Sequence, residues 1–187
     1  MPHIGLNNDL PGIRGLMAFR PEVAGPMGEL ANILLRDSEG LSPTERELIA
    51  THVSWLNDCF YCHHSHGAIA CHYLGGEMEL VDQVRKDHLH ASIPDKLRSL
   101  LTIAGKVQQG GKAVQPEDVE NARQHGATDR DIHDTVLIAA AFCMFNRYVD
   151  GLAATTPTDL STYGPRARQI AERGYGNHII SEKQPVA

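Results

Sequence analysis

The stretch that decides the fold is residues 41–73, LSPTERELIATHVSWLNDCFYCHHSHGAIACHY. Ser42 stands where a helix N-cap is wanted, Pro43 fits the first helical position, and Glu45 completes a capping box, so a helix must begin here. It runs to about residue 57, with Leu48, Ile49, His52, Val53 and Leu56 on one stripe. Asn57 and Asp58 break it and can cap a second helix over 59–74, which Gly75-Gly76 ends. Two capped helices joined by so short a link are expected to lie antiparallel.

Working outward, residues 27–36 show helical spacing at Leu30, Ile33 and Leu34, whereas the first 25 residues, rich in Pro, Gly and Asn, read as an irregular arm. Downstream, a short helix is expected over 77–86. A longer one follows Pro94-Asp95, carrying Leu97, Leu100, Leu101, Ile103 and Val107 to Gly110-Gly111, and 115–124 reads as a shorter polar helix. Thr128 with Asp131 makes another capping box, opening the most apolar helix over 129–153. A last amphipathic helix covers 165–173, and 177–187 reads as a frayed tail. No segment alternates with period two, so the chain is expected to be all-α, one helical domain over 1–187. Weak similarity between 41–57 and 128–153 hints at two degenerate helical repeats.

Composition excludes much. The 187 residues are 42% hydrophobic and 21% charged with a net charge of −6, a soluble globular mix with no basic footprint for nucleic acid or an anionic membrane. The N-terminus lacks a basic and an apolar region, and the longest apolar run, 136–145, is about half of the ~20 residues that span a bilayer. A cytoplasmic protein with reduced thiols is therefore expected, and four cysteines are too few for a disulfide scaffold. Five of the 11 histidines (His52, His63, His64, His66, His72) and three cysteines (Cys59, Cys62, Cys71) fall within 21 residues.

Within that cluster, Cys59-x-x-Cys62-x-x-x-His66 places three reactive side chains on one helix stripe. The positive helix end favours a thiolate at Cys59, in the expected first turn. His66, one turn beyond Cys62, can take that thiol's proton. The pattern suits a dithiol that attacks an oxidant and closes to a disulfide. A zinc site remains the alternative, with His66 as third ligand and His63, His64, His72 or a carboxylate as fourth. Glu47, on the preceding helix, could fold back towards His66, although spacing alone favours a surface glutamate in an ERE charge run. His52 reads as a hydrogen-bonded core residue, Cys71 and Cys143 as packed core thiols, and His63 and His64 as a solvated helix face. His72 is unassigned. Asn146, Arg147 and Asp150 read as the polar end of an apolar helix, bordering a cavity or capping an interface.

The spacing Glu47-(eleven residues)-Cys59-x-x-Cys62-x-x-x-His66 resembles the signature of AhpD-like alkylhydroperoxidases, within the carboxymuconolactone decarboxylase superfamily. RELIATHVSWLNDCFYCHHSHGAIA looks like the peroxidase-related subgroup, and similarity extends from GIRGLMAFRPEVAGPM to FNRYVDGLA. The resemblance implies an AhpD-like helical bundle, forming dimers, trimers or hexamers, that reduces hydroperoxides. It also implies that Cys62 attacks peroxide, Cys59 closes the disulfide, and Glu47 and His66 relay protons. No bound cofactor or metal is implied, only an external dithiol reductant, of lipoyl or other type, or a redox protein. The chain departs at Tyr61, where better-studied members carry histidine. A disulfide oxidoreductase or redox sensor would use the same pair, and the decarboxylase branch lacks it.

Overall fold

The computed structural model describes residues 1–176. Among them lie nine α-helices: α1 (Ile13–Phe19), α2 (Pro21–Arg36), α3 (Pro43–Leu56), α4 (Phe60–Tyr73), α5 (Met78–Asp87), α6 (Asp95–Gln109), α7 (Pro116–Gln124), α8 (Asp129–Gly151) and α9 (Tyr163–Arg173). Two short 3₁₀ turns, Gly111–Ala113 and Leu160–Thr162, complete the regular structure, and no described residue is in a strand. None of these helices is long and apolar enough to cross a membrane. The tail expected over 177–187 lies outside the described residues.

Both capping boxes form. The Ser42 backbone N–H donates to Glu45 Oε2 at 2.8 Å and the Glu45 N–H to Ser42 Oγ, while Thr128 and Asp131 make the same exchange at the start of α8. Each pair satisfies backbone donors that a helix start leaves open. α3 and α8 then pack on one another, and α4, α5 and α6 enclose α3 further. As a result residues 46–54 are all buried, polar ones included, rather than only the single stripe that the spacing predicts.

The link from α3 to α4 reverses through Asp58, which sits in the left-handed region (φ 56°). Cys59 is the N-cap of α4, so the expected cap at Asn57 or Asp58 falls two residues or one residue early. Positive φ at Gly75 and Gly76 ends the helix on the other side.

The N-terminal arm is a correction. Residues 13–19 and 21–36 are helical, the second helix opening with Pro21 at its first turn and running through Pro26. Pro26 removes one backbone bond, whose acceptor would be the carbonyl of exposed Glu22, where water can serve. The density of Pro and Gly concealed both helices. Leu6 and Leu16 from this segment are buried, and backbone bonds from His3 to the Leu152 carbonyl and from Gly12 to the Thr155 carbonyl fasten it beyond the end of α8.

Arg46 ties the halves together. Its side chain is 0% exposed, yet it donates to the carbonyls of Leu41, Leu34 and Glu39 and to Asp134 Oδ2 on α8, all at 2.8–2.9 Å. Removing the guanidinium strands three carbonyls and a carboxylate, so Arg46→Ala is expected to destabilise the fold by about 3 kcal/mol in urea unfolding. Arg46→Lys, which keeps the charge but not the planar fork, should recover only part of that loss. A change below about 1 kcal/mol for the alanine variant would show that this network does not hold α2, α3 and α8 together.

Candidate functional site

The antiparallel α3–α4 pair brings Glu47 to His66. Glu47 is 1% exposed, contrary to the surface position that spacing favoured, because the enclosing helices cover that face of α3 too. The His66 Nδ1–H donates to Glu47 Oε2 at 2.8 Å. Tyr175, just beyond α9, donates its hydroxyl to Glu47 Oε1 at 2.7 Å, and the tyrosine oxygen lies 3.2 Å from His66 Nδ1. With the proton held on Nδ1 by this arrangement, Nε2 is the acceptor nitrogen of the ring. Phe142 meets the ring edge-on with centroids 4.6 Å apart, and Tyr175 stacks over it at 5.9 Å. Tyr175 follows a glycine in a segment with no periodic signal, so nothing in the sequence pointed to it.

Cys59 and Cys62 are both free thiols, 0% and 4% exposed. Cys59 lies at the cap rather than in the first turn of α4 as expected, and Cys62 occupies that turn. The hydrogen bond to Cys62, and after it burial, raises the Cys59 thiol well above its ordinary range. Asp150, whose carboxyl is pushed up by burial, also bonds Cys59. The two sulfurs sit in a small apolar cluster with Leu6, Leu16, Val149 and Ala154, separate from the main core.

A cavity of about 620 Å³ adjoins this centre. His66, Ser65, Tyr61, Tyr163 and Tyr175 form part of its wall, with Arg14 and three arginines of α9 around them. Tyr61 bonds Ser65, and burial raises its hydroxyl. Its ring fills the space beside Gly12 (φ 57°), where an added Cβ would stand 2.1 Å from a ring carbon.

The remaining candidates scatter. His63 is buried at 5% exposure rather than solvated, because Trp55 and Phe60 pack against its ring at 5.1 and 5.6 Å. His64 is half-buried and its Nδ1 meets the Phe60 carbonyl at 3.0 Å. Both line a second cavity of about 440 Å³ with Trp55, Phe60, Arg85 and Tyr163. His52 is a core residue lying against His88. Cys143 is buried and Cys71 half-buried against the core, while His72 is exposed. Asn146 is buried, bonding Ser54 and Asn57 so that α8 braces the α3–α4 link. Arg147 is exposed and bonds its own helix. Among the described residues no group of three or more His, Cys, Asp and Glu is arranged to hold a metal ion.

The sequence model of the carboxymuconolactone decarboxylase family matches residues 21–73 and 76–157. The chain belongs to this family. Within it, the fold is that of the AhpD-like branch. A structure described as alkylhydroperoxidase AhpD core, an uncharacterized peroxidase-related protein from Ralstonia eutropha JMP134, is 32% identical with a TM-score of 0.74, covering 82% of this chain and 80% of that one. An uncharacterized peroxidase-related protein from Silicibacter sp. TM1040 is 31% identical with a TM-score of 0.73, covering 82% and 78%. No curated protein matches. The carboxymuconolactone decarboxylase family model thus covers Glu47, Cys59, Cys62 and His66 but stops short of Tyr175.

Histidine burial in this family member sets its response to acid. Burial, with His88 second, lowers His52 from 6.5 to about 4, and burial, with His64 second, lowers His63 to about 3. Such groups are neutral when folded but protonate near pH 6.5 when unfolded. Their contribution is complete above that pH and is lost as pH falls towards 4. The urea midpoint is expected to drop steadily over this window, and His52→Gln should flatten the slope. An unchanged midpoint from pH 6.5 to 4 would contradict it.

Proposed function

We propose that this chain is a thiol-dependent hydroperoxidase in which Cys62 attacks and Cys59 resolves. The observation that carries the reading is the buried carboxylate–histidine pair beside the dithiol. Glu47 accepts from the His66 Nδ1–H at 2.8 Å and so orients an imidazole that lies one helical turn from Cys62 on the same helix. A base so oriented by a carboxylate is the arrangement that activates a cysteine nucleophile.

In the proposed cycle His66 takes the Cys62 proton, and the thiolate attacks the distal oxygen of a hydroperoxide ROOH. The O–O bond breaks, Cys62 becomes a sulfenic acid, and the leaving alkoxide takes the imidazolium proton to depart as ROH. The Cys59 thiol then displaces water from the sulfenic acid to form the Cys59–Cys62 disulfide. An external dithiol, of lipoyl or other type, reduces this by exchange and leaves as its own disulfide. Such a cycle suits a reducing cytoplasm. No metal or bound cofactor enters it. The cavity beside His66 and Ser65 offers the hydroperoxide a place to bind. The same reading has the chain act as a homo-oligomer, for which Leu137, Ala140 and Met144 on α8 present an uncovered stripe.

The test is hydroperoxide consumption with dihydrolipoamide, glutathione or thioredoxin as reductant. Cys62→Ser is expected to lower turnover by about 10³-fold or more. Cys59→Ser should still consume one equivalent of hydroperoxide and leave a sulfenic acid that dimedone traps at residue 62. Full turnover by Cys62→Ser would end this reading. Faster reaction with model disulfides than with hydroperoxides would replace it with a disulfide oxidoreductase.

A further inference from the structure

We propose that Tyr175 is a positioning residue of the thiol site: its hydroxyl clamps the Glu47 carboxylate against the His66 Nδ1–H and so fixes the imidazole for its exchange with Cys62. The inference rests on the roles given above to Cys62 and His66. It concerns a residue beyond the stretch that the family model matches.

The contacts make a closed three-membered set. Glu47 offers two carboxylate oxygens in a buried site, and each has one donor: Tyr175 on Oε1 at 2.7 Å and His66 on Oε2 at 2.8 Å. Two donors in different directions fix the carboxylate plane, which one donor cannot. The carboxylate plane in turn sets the direction of the Nδ1–H and thus of the whole ring. Tyr175 is suited to donate, because burial, and then the negative charge of Glu47, hold its hydroxyl well above the usual range and keep it protonated. Phenylalanine would fill the same volume, so the hydroxyl's contribution is the hydrogen bond.

The chain invests polar contacts in delivering this one ring. Arg36 on α2 donates to the last carbonyls of α9, Ile170 at 2.8 Å and Ala171 at 2.9 Å, and to the Tyr73 hydroxyl at 2.9 Å. Asn32, one turn earlier, accepts from the Tyr175 backbone N–H at 2.6 Å and donates to the Tyr175 carbonyl. Gly174 makes the turn between them with φ at 79°, and an added Cβ there would stand 2.6 Å from Asn32 Oδ1. α2 therefore straps the end of α9 across the site. The charged and titratable groups facing the Tyr175 hydroxyl are Glu47 from α3, His66 and Tyr73 from α4, and Arg36 from α2.

The experiment reads thiol reactivity without any hydroperoxide. In Cys59→Ser protein, alkylation of Cys62 by iodoacetamide is followed across pH by peptide mass spectrometry, which separates it from Cys71 and Cys143. Adding Tyr175→Phe is expected to slow Cys62 alkylation at neutral pH by about tenfold. Glu47→Gln should slow it by at least as much, and Tyr175→Phe on top of Glu47→Gln should add nothing, since the hydroxyl acts through that carboxylate. Asn32→Ala, which loosens the strap and leaves the hydroxyl in place, should give a smaller loss and serves if Tyr175→Phe folds poorly. Rates within twofold of the parent for Tyr175→Phe and Asn32→Ala would overturn the proposal, as would Tyr175→Phe and Glu47→Gln losses that multiply. If the expected alkylation pattern appears in a protein that turns over no hydroperoxide, the peroxidase reading fails and the positioning role stands.

Discussion

A carboxylate sealed inside a helical bundle is the constraint from which the rest of this site follows. A carboxylate buried like that of Glu47 is tolerable only if its oxygens find hydrogen-bond donors. The donors must come from elsewhere: His66 from the antiparallel partner α4, and Tyr175 from the segment beyond α9. The tight left-handed turn at Asp58 and the strap from α2 to α9 both serve that end. Arg46, the next residue back, is satisfied in the opposite manner, by the carbonyls around the α2–α3 link and by Asp134. Two neighbouring side chains on one turn of α3 thus divide the labour, one holding helices together and the other orienting His66.

What could be read from the residues was what is encoded locally. Ser42 with Glu45, Thr128 with Asp131 and the Gly75-Gly76 stop are short-range devices whose partners lie within a few positions, and all of them form. The Cys59, Cys62 and His66 stripe is equally local, since helical spacing dictates it. Glu47 needed the resemblance, because its burial depends on helices that its immediate neighbours in sequence do not describe. Tyr175 was beyond reach: it is 128 positions from Glu47, and only the folded chain brings them together. The arm was misread for the reverse reason. Pro and Gly there argued for irregular structure, and the packing of Leu16 and Met17 on the body outweighed them.

α4 has two faces. One carries the dithiol and His66 and borders the larger cavity, and the other carries His63 and His64 into an aromatic pocket under Trp55 and Phe60. Tyr163, at the start of α9, stands in the wall of both. The histidines that composition gathers into one cluster are thereby sorted by the helix into separate environments, and only one of them meets the carboxylate.

The fit between Gly12 and Tyr61 ties the N-terminal segment to the thiol helix. Positive φ at residue 12 favours glycine by itself, and its bare α-carbon shares one volume with the tyrosine ring, so a larger residue there would strain the backbone and displace the ring at once. Tyr61 adjoins Cys62 in the chain, and a glycine 49 positions upstream therefore helps to hold the wall beside the thiols in place.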